Sequence, residues 1–441
     1  MSESHDDLTS NLGRELSDWR RWVARLVVLG FAALAGLSVA GFTWLSELAL
    51  GLFRDTRQGS WWWPLIWTPA LTAGIVWITR RWFEGAAGSG IPQVLAALDS
   101  RTPREQRHLF VSLRLSLAKL ILTTGGLLAG LSSGREGPSV QIAAGVLHHA
   151  RRWLPERTRI NEHGLMAAGG AAGVAAAFNT PLGGVMFAIE QLARQPEERT
   201  SGLLIAAIVL AGLIAVSIHG NGAYFGRIHI DHVTWDLWWP GLAVTLASGA
   251  LGGLFARLLV QSMGGLGTDR FSLWRQQHPV RFAGGCGLAV ALIGLVSQGD
   301  TFGSGYQTTR SLLEGEDQTS ELYVVLRMAA TWLSAWSGVP GGVFAPALAI
   351  GAGLGNHIAQ WTGHPGATAL IALGMAGFLA AVTRAPITSF IIVMEMIEGH
   401  TLVLSLMACT MVANTVSRLI SPSLYDELAR IQGARCRAST T

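Results

Sequence analysis

Three short segments set glycine and proline around residues that could hold an ion. Gly88-Ser89-Gly90-Ile91-Pro92 offers a serine hydroxyl and backbone N–H groups freed by the glycines, with no acidic side chain among them. That set suits an anion better than a cation, which would call for carboxylates and carbonyl-rich unwound turns. Taken alone, it is more often a plain loop turn. Gly134-Arg135-Glu136-Gly137-Pro138 places two opposite charges between glycines, ahead of the apolar run Val140 to Leu147. A helix is expected to start there, with its first amides and the positive end of its dipole aimed into the break. Glu136 is then either a local partner for those amides or a competitor with a passing anion for the same donors. The plainer alternative is a helix cap with an Arg135 to Glu136 ion pair. In Gly341-Gly342-Val343-Phe344-Ala345-Pro346 the glycines permit close approach, and Val343 and Phe344 can offer main-chain amides, although Phe344 is equally read as packing.

Other polar groups stand in apolar surroundings. Lys119 is the single lysine and the one charge between Leu115 and Leu131. A buried lysine raises the local potential in favour of anions, whereas one near a helix end can snorkel to the interface. Glu190 and Glu395 each follow a proline by nine residues, in Thr180-Pro181-Leu182 and Ala385-Pro386-Ile387. They could carry protons, but as a symmetric pair they read better as structural hydrogen-bond acceptors. Tyr425, one of 4 tyrosines, follows Pro422 and could turn its hydroxyl inward or sit at the interface. The 12 histidines, His148 and His149 among them, show no HExxH spacing, and no nucleophile elbow is present. Cys286, Cys409 and Cys436 lie too far apart for a disulfide framework or a zinc site. An intramembrane enzyme is disfavoured, no cofactor is implied, and nothing calls for nucleic acid.

The elements that must position these residues are membrane helices. Of the chain's 441 residues, 50% are hydrophobic and 14% charged, against roughly 25% charged in soluble domains. Mean hydropathy is +0.38. Stretches such as Val27 to Leu45, Gly202 to Ile218 and Gly366 to Val382 are long enough, or nearly so, to cross a hydrocarbon core of about 30 Å. Long apolar segments alternate with short ones interrupted by glycine and proline, the pattern of helices that stop partway through a bilayer. Most of the 54 glycines serve close helix packing, as at Gly169, Gly170 and Gly173. The breaks need protein or a water-filled cavity around them, because lipid cannot hydrate the freed backbone. The halves echo one another: the proline-glutamate element recurs 205 residues later, and Gly88-Ser89-Gly90 returns as Gly303-Ser304-Gly305. Spacing alone leaves direct and inverted repeats open. Arg14, Arg20, Arg21 and Arg25 ahead of the first span predict a cytoplasmic N-terminus.

Read together, in order and spacing, the three breaks resemble the signature motifs of the CLC chloride channel and transporter family, in the compact bacterial form without cytoplasmic CBS domains. The resemblance runs from about Val23 to Tyr425 and includes both proline-glutamate elements. It implies an all-α polytopic membrane fold of two inverted halves with broken, partially spanning helices. The repeats are expected at about 22–219 and 236–425 within a transport domain of 22–425, preceded by a cytoplasmic segment 1–21 and followed by a short tail 426–441. It also implies a homodimer in the bacterial inner membrane, each subunit with its own chloride pathway and both termini cytoplasmic. By position Ser89 resembles the serine that coordinates chloride, with Gly90 and Ile91 beside it. Tyr425 resembles the serine's tyrosine partner, and Val343 and Phe344 resemble the residues whose amides complete the site. Glu136 resembles the gating glutamate, which blocks the pathway when ionised and swings away when protonated, and Lys119 a lysine beneath the pathway. Family members favouring nitrate carry proline in place of Ser89, so chloride is the expected ion. Where coupled transporters commonly carry a second glutamate after the one matching Glu190, this chain has Gln191, which cannot carry a proton. A Cl⁻/H⁺ antiporter and a passive, voltage- or pH-gated conductance are both consistent with these residues, with a cation-coupled solute carrier more distant.

Overall fold

The computed structural model describes residues 19–438 apart from 157, 159, 193–201, 221, 223, 227–234, 266, 317 and 318. Most of the expected N-terminal segment, including Arg14, therefore lies outside the described residues. The described residues form eighteen α-helices, and no β-strand occurs among them. The first half contains α1 (Trp19–Gly59), α2 (Trp63–Trp82), α3 (Ile91–Leu98), α4 (Leu113–Leu128), α5 (Glu136–His149), α6 (Glu162–Phe178), α7 (Pro181–Phe187) and α8 (Gly202–His219). The second contains α9 (Trp238–Gly264), α10 (Arg270–Gln277), α11 (Pro279–Val296), α12 (Tyr306–Glu314), α13 (Tyr323–Ser337), α14 (Phe344–Thr362), α15 (Ala367–Thr383), α16 (Pro386–Ile397) and α17 (Val403–Arg418). A last helix, α18 (Leu424–Ala438), returns to the first half and packs on α3. Among the described residues 6 helices are long and apolar enough to cross a membrane.

Packing repeats between the halves. The pair α5 and α6 is matched by α14 and α15, α1 against α8 by α9 against α17, and α6 against α8 by α15 against α17. Glycine makes these contacts close: a Cβ on Gly173 of α6 would stand 2.4 Å from the Ser139 carbonyl of α5, and one on Gly351 of α14 would stand 2.3 Å from the Gly374 carbonyl of α15. Both α6 and α15 end on a non-glycine residue in the left-handed region, Asn179 at φ 59° and Arg384 at φ 63°. Each then turns at once into a short helix opened by proline.

The halves run in opposite directions. α1 ends where Arg57 donates to the Gln298 carbonyl, just past the end of α11. α9 ends at the other face, where Arg275 and Arg435 donate to the Ser262 and Gly264 carbonyls and α2 brings in Arg80. Hence α1 and its counterpart α9 finish at opposite faces, as do α2 and its counterpart α11. The repeat is inverted, with its approximate axis where the breaks meet. The expected boundary at 425 falls inside α18, whose Leu424, Tyr425, Leu428 and Ile431 are buried. Their helical spacing gives this segment a packed apolar stripe.

Candidate functional site

The three breaks are bonded to one another through the main chain. Gly134 and Gly342 exchange N–H to carbonyl bonds of 2.7 and 2.8 Å, and Gly341 donates to the Gly88 carbonyl at 3.0 Å. Three helix starts follow directly from these breaks: α3 at Ile91, α5 at Glu136 and α14 at Phe344. The sequence opens α5 and α14 alike. Glu136-Gly137-Pro138 and Phe344-Ala345-Pro346 each place proline third, where a missing N–H costs the helix nothing. The remaining first-turn amides have no carbonyl within their own helix. Gly90, at φ 109°, holds a conformation open mainly to glycine, and a Cβ there would lie 2.5 Å from the Gly137 carbonyl. Its N–H donates to Gln93 Oε1 at 2.9 Å, which fixes the turn into α3.

Glu136 is buried, and its carboxylate folds back over Gly134, where a Cβ would meet Glu136 Oε2 at 2.3 Å, Pro346 at 3.1 Å and Ala345 at 3.2 Å. It therefore lies between the starts of α5 and α14, facing the amides of Glu136 and Ala345. Neither oxygen makes a hydrogen bond of full geometry. Close by, Ser89 Oγ would stand 2.4 Å from a Cβ on Gly137, and the fully buried Tyr425 of α18 turns its hydroxyl toward Ser89. Both hydroxyls also lack a fully formed hydrogen bond. Buried polar atoms are normally paired, and an unpaired one costs about 1–3 kcal/mol. A cluster of such atoms at three helix N-termini is an arrangement suited to an anion.

The structure thus brings together Ser89, Gly90, Ile91, Glu136, Val343, Phe344 and Tyr425. The Phe344 ring also packs on Phe178, with centroids 5.2 Å apart, so Phe344 takes part in both the apolar wall and the helix start. Lys119 is fully buried beneath the first break, where its ammonium donates to the carbonyls of Ala86 at 2.8 Å and Gly88 at 2.6 Å. Arg135 forms no ion pair with Glu136. Its guanidinium turns outward to Glu47 at 3.0 Å and to the Tyr224 hydroxyl at 3.3 Å, because Glu136 points inward across Gly134. Glu190 and Glu395 stand apart from this cluster and cap each other's half. Glu190 accepts from Ile387 and Thr388 N–H at 3.1 and 2.7 Å, and Glu395 from Leu182 and Gly183 N–H at 3.2 and 2.7 Å. Gln191 lies in a π-turn after α7 and donates to the Thr383 carbonyl at 3.3 Å.

Sequence reasoning passed over Glu47, Tyr224 and Arg327. Arg327 is fully buried and donates to the Asp300, Phe302 and Gly303 carbonyls, holding the Gly303-Ser304-Gly305 loop as Lys119 holds Gly88-Ser89-Gly90. The repeated loop carried that signal. Glu47 and Tyr224 carried none, since only the fold brings them to Arg135.

An inverted pair of helical halves, with broken helices meeting at a shared polar point, defines a membrane transporter of the broken-helix type. The voltage gated chloride channel family model matches residues 70–418, and the chain belongs to this CLC family. It is 32% identical over 412 residues to a putative chloride channel protein ClcB-like of Ralstonia nicotianae, covering 87% of this chain and 89% of the relative. It is 29% identical over 395 residues to the H(+)/Cl(-) exchange transporter ClcA of Citrobacter koseri, covering 86% and 81%. Among solved structures, a slow cyanobacterial Cl⁻/H⁺ antiporter superposes with a TM-score of 0.81 at 23% identity, covering 94% of this chain and 98% of that one. A CLC-type fluoride/proton antiporter gives 0.76 at 20% identity, covering 93% and 98%.

Proposed function

We propose that the chain moves chloride across the membrane in exchange for protons, with Glu136 as the gate. The observation that carries this reading is the buried Glu136 carboxylate lodged between the starts of α5 and α14, beside the unpartnered hydroxyls of Ser89 and Tyr425. An ionised carboxylate is an anion on a side chain, and it takes up the helix-terminal donors that a halide would use. Protonation removes its charge and its claim on those donors, so it leaves and chloride enters. In this reading the hydroxyls of Ser89 and Tyr425, with the amides of Gly90, Ile91, Val343 and Phe344, hold the ion. Lys119 adds positive potential while holding the backbone of the first break, and Arg135 adds to it from beside Glu136.

Proton exchange is supported by relatives named as exchange transporters. A second reading, a passive conductance, draws support from Gln191, which does not titrate, and from Glu190, both of whose oxygens are engaged by amides. Chloride efflux and proton uptake recorded together in liposomes separate the two. Uphill proton movement driven by a chloride gradient supports exchange, chloride efflux without protons supports the conductance, and no chloride flux overturns both.

The working unit in this proposal is a homodimer in the bacterial inner membrane. The short helices α7 and α16 pack on each other and leave Leu182 exposed, and backbone near such breaks is better covered by a second copy than by lipid. Arg80, Arg275 and Arg435 share one face, which the positive-inside rule assigns to the cytoplasm together with both termini.

A further inference from the structure

A cleft of about 780 Å³ opens between α9, α10, α11 and α13, separate from the site described above. Its size lies within the range of about 300–1,000 Å³ found for ligand pockets. Aromatic rings form much of its wall. Trp332 and Trp336 stack with centroids 4.9 Å apart, Phe282 meets Trp336 edge-on at 4.8 Å, and Trp274 meets Phe282 at 5.3 Å. Trp336 is 8% exposed, yet its indole N–H has no hydrogen-bond partner among the described residues, whereas Trp332 donates to Ser262 Oγ at 2.7 Å.

A basic cluster lies beside Ser262, one of the residues that line the cleft. At the end of α9, Arg275 donates to the Ser262 carbonyl at 2.7 Å and Arg435 donates to the Gly264 carbonyl, so the two guanidiniums meet over Gly265. Arg80, at the end of α2, joins them. Burial, then Arg80 and Arg435, push the Arg275 guanidinium down to about 10, and no carboxylate is among the groups acting on it. The nearby Asp269 is engaged as the cap of α10, accepting from the Phe271 and Ser272 amides at 3.2 Å each. Capping α9 does not need three arginines.

The surroundings are those of a bilayer margin. α9 and α11 are both long and apolar enough to cross a membrane. Their outward Leu254, Leu288 and Leu292 are exposed, and α10 presents exposed Phe271 and Trp274, as an interfacial helix does. We propose that this cleft binds an anionic glycerophospholipid, with an acyl chain against the tryptophan wall and the phosphate on Arg80, Arg275 and Arg435.

Native mass spectrometry of the purified full chain, titrated with phosphatidylglycerol and with phosphatidylcholine of matched chains, tests the assignment. Phosphatidylglycerol is expected to bind more tightly. Arg80→Gln, which leaves the α9 cap intact, should weaken it about fivefold while leaving phosphatidylcholine unchanged. Ala289→Trp, which fills the cleft, should weaken both lipids. Equal binding of the two lipids, or wild-type binding by either variant, overturns the proposal. Full displacement of phosphatidylglycerol by inorganic phosphate would also overturn it, by reducing the site to an anion site alone.

Discussion

Glu190 and Glu395 hold equivalent places in the two halves, so one substitution in each distinguishes a structural role from a proton-carrying one. Each carboxylate takes two amides at the start of the other half's short helix, at 2.7 and 3.1 Å for Glu190 and at 2.7 and 3.2 Å for Glu395. Glutamine keeps one acceptor oxygen and turns an N–H₂ group toward the other amide. The loss is one charge-assisted hydrogen bond, worth about 1.5–3 kcal/mol, and a favourable interaction with a helix N-terminus of about 0.3–1 kcal/mol. Both side chains are only half-buried, so the low end applies, about 2 kcal/mol for each variant. Thermal unfolding in detergent, followed by tryptophan fluorescence, should show midpoints lowered by a few degrees and by similar amounts in Glu190→Gln and Glu395→Gln. In liposomes both variants should keep the wild-type ratio of protons to chloride. Loss of proton movement in Glu190→Gln alone, with its midpoint and chloride flux intact, would refute the structural role and make Glu190 the inner proton carrier.

The hydroxyls of Ser89 and Tyr425 make no full hydrogen bond within the protein, so Ser89→Ala and Tyr425→Phe should leave stability unchanged or slightly raised. Each should weaken chloride binding by about 1 kcal/mol, roughly fivefold, in calorimetric titration. Unchanged affinity in both would remove these hydroxyls from the ion site. Lys119→Met leaves the Ala86 carbonyl without its donor and removes one of the two donors to the Gly88 carbonyl, and Arg327→Met strands the carbonyls of the matching loop, so each should cost about 2–4 kcal/mol of stability. A Lys119→Met chain as stable as wild type would limit the lysine to a purely electrostatic part. Gly137→Ala places a Cβ 2.4 Å from Ser89 Oγ and should displace it, lowering chloride affinity, whereas Gly74→Ala, with nothing within 4 Å, should be silent in the same titration.

The breaks were legible because glycine and proline must interrupt helices wherever they cluster, and the repeat was legible because it preserves the proline-glutamate spacing. Direction was not: the halves prove inverted only once Arg57 meets Gln298 at one face and Arg275 meets Ser262 at the other. Partner choice was equally hidden. Arg135 passes over its neighbour Glu136 for Glu47, 88 positions away, and each glutamate of the symmetric pair bonds the opposite half. Gly366 to Val382 reads as a span from its apolar run, but nearly all of α15 is buried within the protein. The segment after Tyr425 reads as a tail because it is short, yet Leu428 and Ile431 carry the helical spacing that packs it on the first half.

Chloride efflux from liposomes across external pH, wild type against Glu136→Gln, bears most directly on the gate. If the carboxylate between α5 and α14 closes the pathway by its charge, wild-type flux rises as pH falls, while Glu136→Gln carries chloride at a rate independent of pH. A pH dependence that survives in Glu136→Gln would contradict the gate and place it on another group.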